Sequence, residues 1–590
     1  MEKSVRQKLE NKEIEILRLF SLICVILLVG IFLYRLKYVV LASEDSMNEY
    51  ALARQLGFVE MFKFTFKFCL RRGRVGLIFP LICTVRHYIN STGNYTLIWL
   101  LQYVPVVAVI CYIASVVKKR IGTAASCLFL MITAVFLQID TCHNLLVCYP
   151  LDFCAALFFS VKAVDLFISG TDNYLKFGYK AKTAVMLILS AFCFYISLES
   201  YESFIVATFS MFLIVLFKLK SSEGTLKKKI KDGAVLLSLP FFVSVIYLIV
   251  WYILSQKVYS LVDEVYITDE FSTKGFLLTW ATFSTDLFPF RRYITYKALH
   301  NHTEWFGFAE FFKDPLNIIG AIVSLIGTFS VTRYVIKNIE SLKSKTISIR
   351  LCACISFAFA VLFPLSHALL PRYQSWVVND KVQGYVPSFI CYLSWTLFIA
   401  CILILIMLRA DFSKNSITVI FAAALTVISV FGFTVTSLTS NKYIKALEED
   451  SMKAQVFCMM SSEADFGDAQ IVYTDSFDGL HGQLQNDTSL MDFESGTDVT
   501  LTNNPDDLGE GDLYFHVYDN GVGILTAVDD DLNPEGFIQL CPAVSGDYDI
   551  MLNGLDGETV RETLELERGV VYTYSVSDTN LIFSGVETDE

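Results

Sequence analysis

The stretch from Leu17 to Ser46 reads LRLFSLICVILLVGIFLYRLKYVVLASEDS. From Leu17 to Val40 it is almost continuously apolar, with cations only near its two ends. About 20 apolar residues in a helix cross a ~30 Å hydrocarbon core, so this is a membrane span. The acidic quartet Ser43-Glu44-Asp45-Ser46 stands where the chain leaves it. The same signature recurs along the chain. Ten further apolar runs, among them 95–117, 121–140, 150–169 and 417–439, bring the expected number of spans to eleven. Hydrophobic residues make up 54% of the 590 and charged residues only 18%, against roughly a quarter charged in soluble domains. The composition excludes an ordinary soluble protein and predicts an all-α polytopic membrane protein.

Charge divides the chain in two. Residues 441–590 hold 32 acidic and 5 basic residues, a net of −27, whereas residues 1–440 carry +15. A tail this acidic excludes nucleic acid as a partner. Lysine and arginine gather in the connections at 118–120, 176–182, 218–231, 333–350 and 409–414. By the positive-inside rule those connections are cytoplasmic. The N-terminus is then inside and the tail outside, as expected of a multi-pass protein of a bacterial plasma membrane.

Two outer segments exceed what a connection needs, 43–94 and 256–315. The first alternates aromatic and cationic residues, the pattern of helices lying in the membrane interface. The second carries Trp280, Arg291, Arg292, His300, His302 and Trp305. Long loops usually serve function. The predicted domains are a membrane domain over 1–440, a helical connector over 441–462 and an extracytoplasmic β-rich, sandwich-like domain over 463–590. Short alternating runs such as QIVYT, DLYFHVY, GILTAV and VVYTYSV, punctuated by Gly, Asn and Asp, predict antiparallel strands for the last. Most of the 15 cysteines lie in predicted spans, where a thiol packs as a small apolar group. A Cys458–Cys541 bridge is the candidate pairing in the tail.

The Glu44-Asp45 pair is the sharpest chemical constellation. Adjacent carboxylates at a helix exit suit a general base or a metal ligand, and equally a solvated helix end. Arg71, Arg72 and Arg74 in the first outer segment, Arg291 and Arg292 in the second, and Arg372 in LLPRYQSW form a set of outer cations. Arginine binds phosphate oxygens through a planar fork, and it also snorkels to lipid headgroups. Asp140, His143, Glu199 and Glu202 stand at other outer helix ends, where ionisable groups are often functional. Asp529 to Asn533 alternates oxygen donors, but Pro534 stands where an EF-hand loop needs glycine.

The order of these features resembles the GT-C superfamily of membrane glycosyltransferases, over roughly residues 15–440. In that family the acidic catalytic residue lies in the first outer loop after span one, and some members append an outer soluble domain. The nearer likeness is to bacterial glucosyltransferases of the serotype-conversion (Gtr) type. The pair here reads Glu-Asp rather than Asp-Asp or Asp-x-Asp, so a divalent cation, Mg2+ or Mn2+, is a candidate cofactor only. The resemblance implies an inverting hexosyltransferase using a polyprenyl-phosphate-linked sugar donor in the lipid bilayer and a surface glycan or glycolipid acceptor. Asp45 with Glu44 would be catalytic. The arginines, with Asp140, His143, Glu199 and Glu202, would bind substrate. The alternatives are a transporter or flippase for a lipid-linked or polyanionic substrate, and a non-catalytic anchor presenting the β-domain.

Overall fold

A computed structural model describes residues 2–139, 144–258, 271–291, 308–379, 381–382, 384–410, 415–476, 484–509, 511–518, 520–528, 534–554, 559–575 and 581–588. They form two compact units. One comprises Met1–Lys37, Phe62–Arg86 and Trp99–Ile444, and the other Tyr38–Met61, His87–Ile98 and Lys445–Glu590. Residues 43–94 are therefore shared between them.

The first unit is helical. Along the chain run α1 (Glu2–Arg35), α2 (Glu44–Arg71), α3 (Ile78–Asn90), α4 (Tyr95–Arg120), α5 (Thr123–Val135), α6 (Pro150–Phe177), α7 (Ala181–Ser200), α8 (Val206–Ser221) and α9 (Leu226–Tyr252). Later helices include Pro315–Lys337, Thr346–Leu362, Val386–Arg409 and Asn415–Glu463. In a bilayer every backbone amide must be paired within its own segment, which is why apolar runs of this length become helices.

Among the described residues nine helices are long and apolar enough to cross a membrane. Two of the eleven expected spans are corrected. The run at 121–140 yields only α5, whose 13 residues rise about 20 Å, short of a ~30 Å core. The run at 150–169 becomes α6, long enough at 28 residues but not among those nine, with Lys162 and Asp165 in its middle. The expected interface segment is indeed helical, as α2 and α3, with α2 bent at Gly57 (φ 67°). No break follows Ser440, because Asn415–Glu463 is a single helix of 49 residues. No glycine or proline interrupts residues 433–463, so the last span and the expected connector are one element.

Polar clamps and small residues hold the helical unit. Arg35 at the end of α1 donates to Asp314 Oδ2 at 2.6 Å and Asn317 Oδ1 at 2.7 Å. A Cβ on Gly327 would lie 2.5 Å from Met131 and 2.7 Å from Cys24, so glycine is what permits this close approach. Arg86 Nε meets Asp152 Oδ2 at 2.9 Å with both side chains buried.

In the second unit the described residues of the tail form nine strands: β1 (Ile471–Thr474), β2 (Thr500–Thr502), β3 (Leu513–Val517), β4 (Val522–Val528), β5 (Pro534–Pro542), β6 (Gly546–Gly554), β7 (Thr559–Leu566), β8 (Tyr572–Ser575) and β9 (Leu581–Thr588). A six-stranded sheet in the order β2-β1-β3-β4-β5-β8 accompanies a three-stranded sheet β7-β6-β9. Val522, Ile524, Ile538 and Leu540 from the larger sheet share one core with Tyr548, Ile550 and Leu566 from the smaller, the layering of a sandwich. The expectation of antiparallel pairing fails at one edge. β1 pairs in parallel with both β2 and β3, because helix Leu484–Ser495 supplies the crossover that a parallel connection requires. Cys458 and Cys541 are separate buried thiols, so the candidate bridge is absent.

Candidate active site

Helix α2 stops at Arg71-Arg72-Gly73-Arg74. Gly73 adopts φ 76°, its N–H reaches Leu70 O at 2.9 Å, and the Arg74 N–H reaches Cys69 O at 2.9 Å. These two bonds define a Schellman stop, which needs a left-handed residue after the helix. A Cβ on Gly73 would lie 2.8 Å from the Trp251 backbone. The chain thus reverses tightly against α9 and carries Arg74 into the protein, where it is buried.

Arg74 Nη2 donates to Glu202 Oε2 at 2.9 Å, while its Nε is buried without a hydrogen-bond partner. Burial works against the guanidinium charge, and the neighbouring Glu202 carboxylate more than restores it. Glu202 opens a 3-10 turn after Tyr201, whose extended backbone ends α7. One turn earlier on α7, Glu199 is 2% exposed and its Oε1 has no hydrogen-bond partner. A Cβ on Gly76 would fall 1.7 Å from Glu199 Oε2, so the Arg-Gly-Arg-Val-Gly segment seats directly on Glu199. Cys69, close by, is no nucleophile at neutral pH, since burial pushes its thiol up to about 11.

An aromatic cluster adjoins this charged group. The buried His367 ring lies 5.0 Å from Tyr201, 5.0 Å from Tyr373 and 5.6 Å from Tyr385, between ring centroids. Arg74 stands 5.7 Å from the Tyr201 ring. Ser203 and Ser366 are hydrogen-bonded through their hydroxyls, tying the Glu202 turn to the helix end that bears His367. Arg372 lies 4.7 Å over Trp376, and Trp376 packs on Tyr373 and Tyr385 at 5.1 and 5.8 Å. Arg74, the pair Glu199 and Glu202, and Arg372, from three separate stretches of sequence, therefore border one set of rings, directly or through one another.

Other predicted residues lie elsewhere. Arg71 is exposed, and Arg72 covers Phe68 at 4.1 Å. Arg291 is half-buried just before residues outside the description. Asp140, His143, Arg292, His300, His302, Trp305 and Asp529 to Asn533 lie outside the described residues. Glu44 and Asp45 open α2 within the second unit. Ser43 caps that helix, its Oγ accepting from the Ser46 N–H at 3.1 Å. Asp45 is half-buried, and the Glu44 side chain is outside the description. Among the described residues no three His, Cys, Asp or Glu side chains come together as ligands of a metal ion.

Sequence reasoning passed over His367, Tyr201, Tyr247 and Tyr385. Only the aromatic residues flanking Arg372 in PRYQSW hinted at a ring cluster. Tyr247 on α9 is buried with its hydroxyl unpartnered.

The fold defines a polytopic helical membrane protein with a cluster of charged groups and rings in its helical unit and a β-rich tail domain. Compared with protein-family models and with curated proteins, the sequence has no match in either. Among solved structures it is similar to the archaeal oligosaccharyltransferase AglB from Archaeoglobus fulgidus in complex with an inhibitory peptide and a dolichol-phosphate. That match has 10% identity and a TM-score of 0.34, over 94% of this chain and 74% of that one. The apo form of the Archaeoglobus fulgidus oligosaccharyltransferase gives 10% identity and a TM-score of 0.33, over 97% and 76%. TM-scores this low do not establish a common fold.

Proposed function

We propose that the protein is an integral membrane glycosyltransferase of the GT-C kind. It moves a sugar from a polyprenyl-phosphate donor to a surface glycan or glycolipid, with its N-terminus cytoplasmic and its tail outside. The observation that carries this reading is the seating of Arg74. A buried guanidinium with an open Nε sits beside Tyr201, whose ring adjoins His367 and, through it, Tyr373. A fixed cation suits a leaving phosphate, and amphipathic rings suit a sugar face.

In the reaction the acceptor hydroxyl gives its proton to a carboxylate, and its oxygen bonds to the anomeric carbon. The bond from that carbon to the phosphate oxygen breaks, and its electron pair stays on the phosphate. Arg74, with Arg372, neutralises the charge that develops there. Asp45, supported by Glu44, is the proposed base.

The test is incubation of the purified protein in lipid with a panel of polyprenyl-phosphate sugars and an envelope glycan extract, followed by assay of released polyprenyl phosphate. Release that depends on the acceptor is expected. Asp45→Asn should slow it by about 10²–10⁴-fold. No release from any sugar in the panel overturns the reading. Unchanged rates in both Asp45→Asn and Glu44→Gln overturn the choice of base.

A further inference from the structure

At the far ends of the same helices lies a second feature that glycosyl transfer does not use. Helix α8 begins four residues after Glu202 and carries Lys218 near its other end. The rise from Val206 to Lys218 is about 18 Å. Helix Thr346–Leu362 likewise runs from Lys345, its N-cap, toward His367. Lys119, Arg120, Lys218 and Lys345 thus gather at the end of the helical unit remote from Arg74.

These four cations stand around the mouth of a cleft of about 370 Å3. Its walls come from α4, α6 and the helices Thr346–Leu362 and Val386–Arg409, with Val161, Ile355, Phe359 and Leu393 among the apolar lining. From Lys345 to Phe359 the cleft follows 14 residues of helix, a rise of about 21 Å. That is most of a ~30 Å hydrocarbon core.

The charges at the mouth are built rather than scattered. Asp165, buried on α6, holds Lys119 Nζ at 2.8 Å and Arg120 Nε at 2.7 Å. Arg120 Nη2 also reaches Ser169 Oγ at 2.5 Å. Asp172 holds Lys218 Nζ at 2.6 Å, and Arg120 Nη1 approaches it only to 3.9 Å. Lys345 makes no ion pair among the described residues. Four cations against these two carboxylates leave two positive charges uncompensated. Deeper in the cleft Ser356, 3% exposed, has a hydroxyl with no hydrogen-bond partner. A surplus of fixed cations over an apolar slot of membrane length matches an amphiphile with an anionic head and a hydrocarbon chain.

We propose that this cleft binds one acidic phospholipid of the bilayer, with its phosphate at the four cations and an acyl chain along the slot. The site is distinct from the Arg74 cluster and does not depend on glycosyl transfer. The test is native mass spectrometry of the full chain released from detergent with phosphatidylglycerol, phosphatidylcholine, polyprenyl phosphate or inorganic phosphate added singly. One phosphatidylglycerol should be retained, and phosphatidylcholine and inorganic phosphate should not.

A lysine near the surface contributes about five-fold in affinity for anionic lipid. Lys345→Gln should therefore weaken retention about five-fold, and the charge reversal Lys345→Glu about thirty-fold. Leu393→Trp, which fills the slot without touching a charge, should abolish retention while melting temperature and circular dichroism report the fold. Retention unchanged by Leu393→Trp or by Lys345→Glu overturns the site. Retention of inorganic phosphate alone, or of polyprenyl phosphate but not phosphatidylglycerol, overturns the choice of occupant.

Discussion

Replacing Arg74 with alanine should separate its structural tie from its proposed grip on phosphate. The tie is a single charge-assisted bond of 2.9 Å to Glu202, a kind worth about 1.5–3 kcal/mol when both partners are desolvated. The Glu202 side chain is 38% exposed, so water takes over much of that contact and about 1 kcal/mol is expected. The ring contacts at 5.5 Å to Phe79 and 5.7 Å to Tyr201 are near the limit of range and add about 0.5 kcal/mol. Arg74→Ala should therefore cost about 1.5 kcal/mol of stability, read as a modest fall in melting temperature in detergent. In a double-mutant cycle with Glu202→Ala, about 1 kcal/mol should appear as coupling.

Phosphate binding should respond more strongly. The open Nε and the remaining Nη hydrogens can form a forked contact to phosphate worth about 1.5–3 kcal/mol. Polyprenyl phosphate should bind Arg74→Ala about 10- to 100-fold more weakly. Arg74→Lys, which keeps the charge and loses the fork, should fall between. Glu202→Ala should lose stability but not this affinity. If Arg74→Ala melted as Glu202→Ala does and bound lipid phosphate as tightly as the unaltered protein, Arg74 would be a structural tie only.

Arg86→Met should be far more damaging, by about 3–5 kcal/mol, because it strips a cation from Asp152 where the two side chains are 4% and 3% exposed; urea or thermal unfolding in detergent checks this. The tail should lose stability in acid through Asp475. Burial opposes its charge, but hydrogen bonds from His516 at 2.6 Å and from the Tyr514 hydroxyl at 2.8 Å outweigh burial and hold its carboxyl below the usual range. The unfolded chain then takes up this proton first as pH falls. The contribution is intact above about pH 4 and disappears as pH drops through the lower folded value. Asp475→Asn should flatten that part of an acid titration followed by tyrosine fluorescence. Cys541 is buried in β5, with its thiol pushed up to about 12 by burial. Maleimide should label it only after denaturation, and reducing agent should leave the electrophoretic mobility unchanged.

Elements whose physics is local were legible in the sequence. Apolar runs of span length have one way to pair their amides inside a bilayer, so most membrane helices follow from composition alone. The break between α7 and α8 follows from Glu199 and Glu202 in the run LESYES. The β-rich character of the tail follows from its alternation. Local reading failed where a segment's fate depends on what it joins. A hydropathic run could not reveal that α5 stops after 13 residues, or that the last span continues unbroken to Glu463. Alternation does not encode the parallel seating of β1 between β2 and β3, which depends on where the crossover helix returns the chain.

The site divides along the same line. Arg74, Glu199, Glu202 and Arg372 stood out singly, because charges at helix ends are costly and visible in any sequence. Their convergence was decided by packing. Tyr201, His367, Tyr373 and Tyr385 look like ordinary interfacial aromatics until helix ends far apart in the chain bring the three tyrosine rings within 5.0–5.6 Å of His367. The Glu44-Asp45 pair announces its chemistry by residue type alone, at the opening of α2. Hydropathy and charge act within a turn or a span, and so the sequence by itself determined the class of protein and its list of charged candidates. Which of those charges share a site was set by contacts between remote segments, and only the tertiary structure decided it.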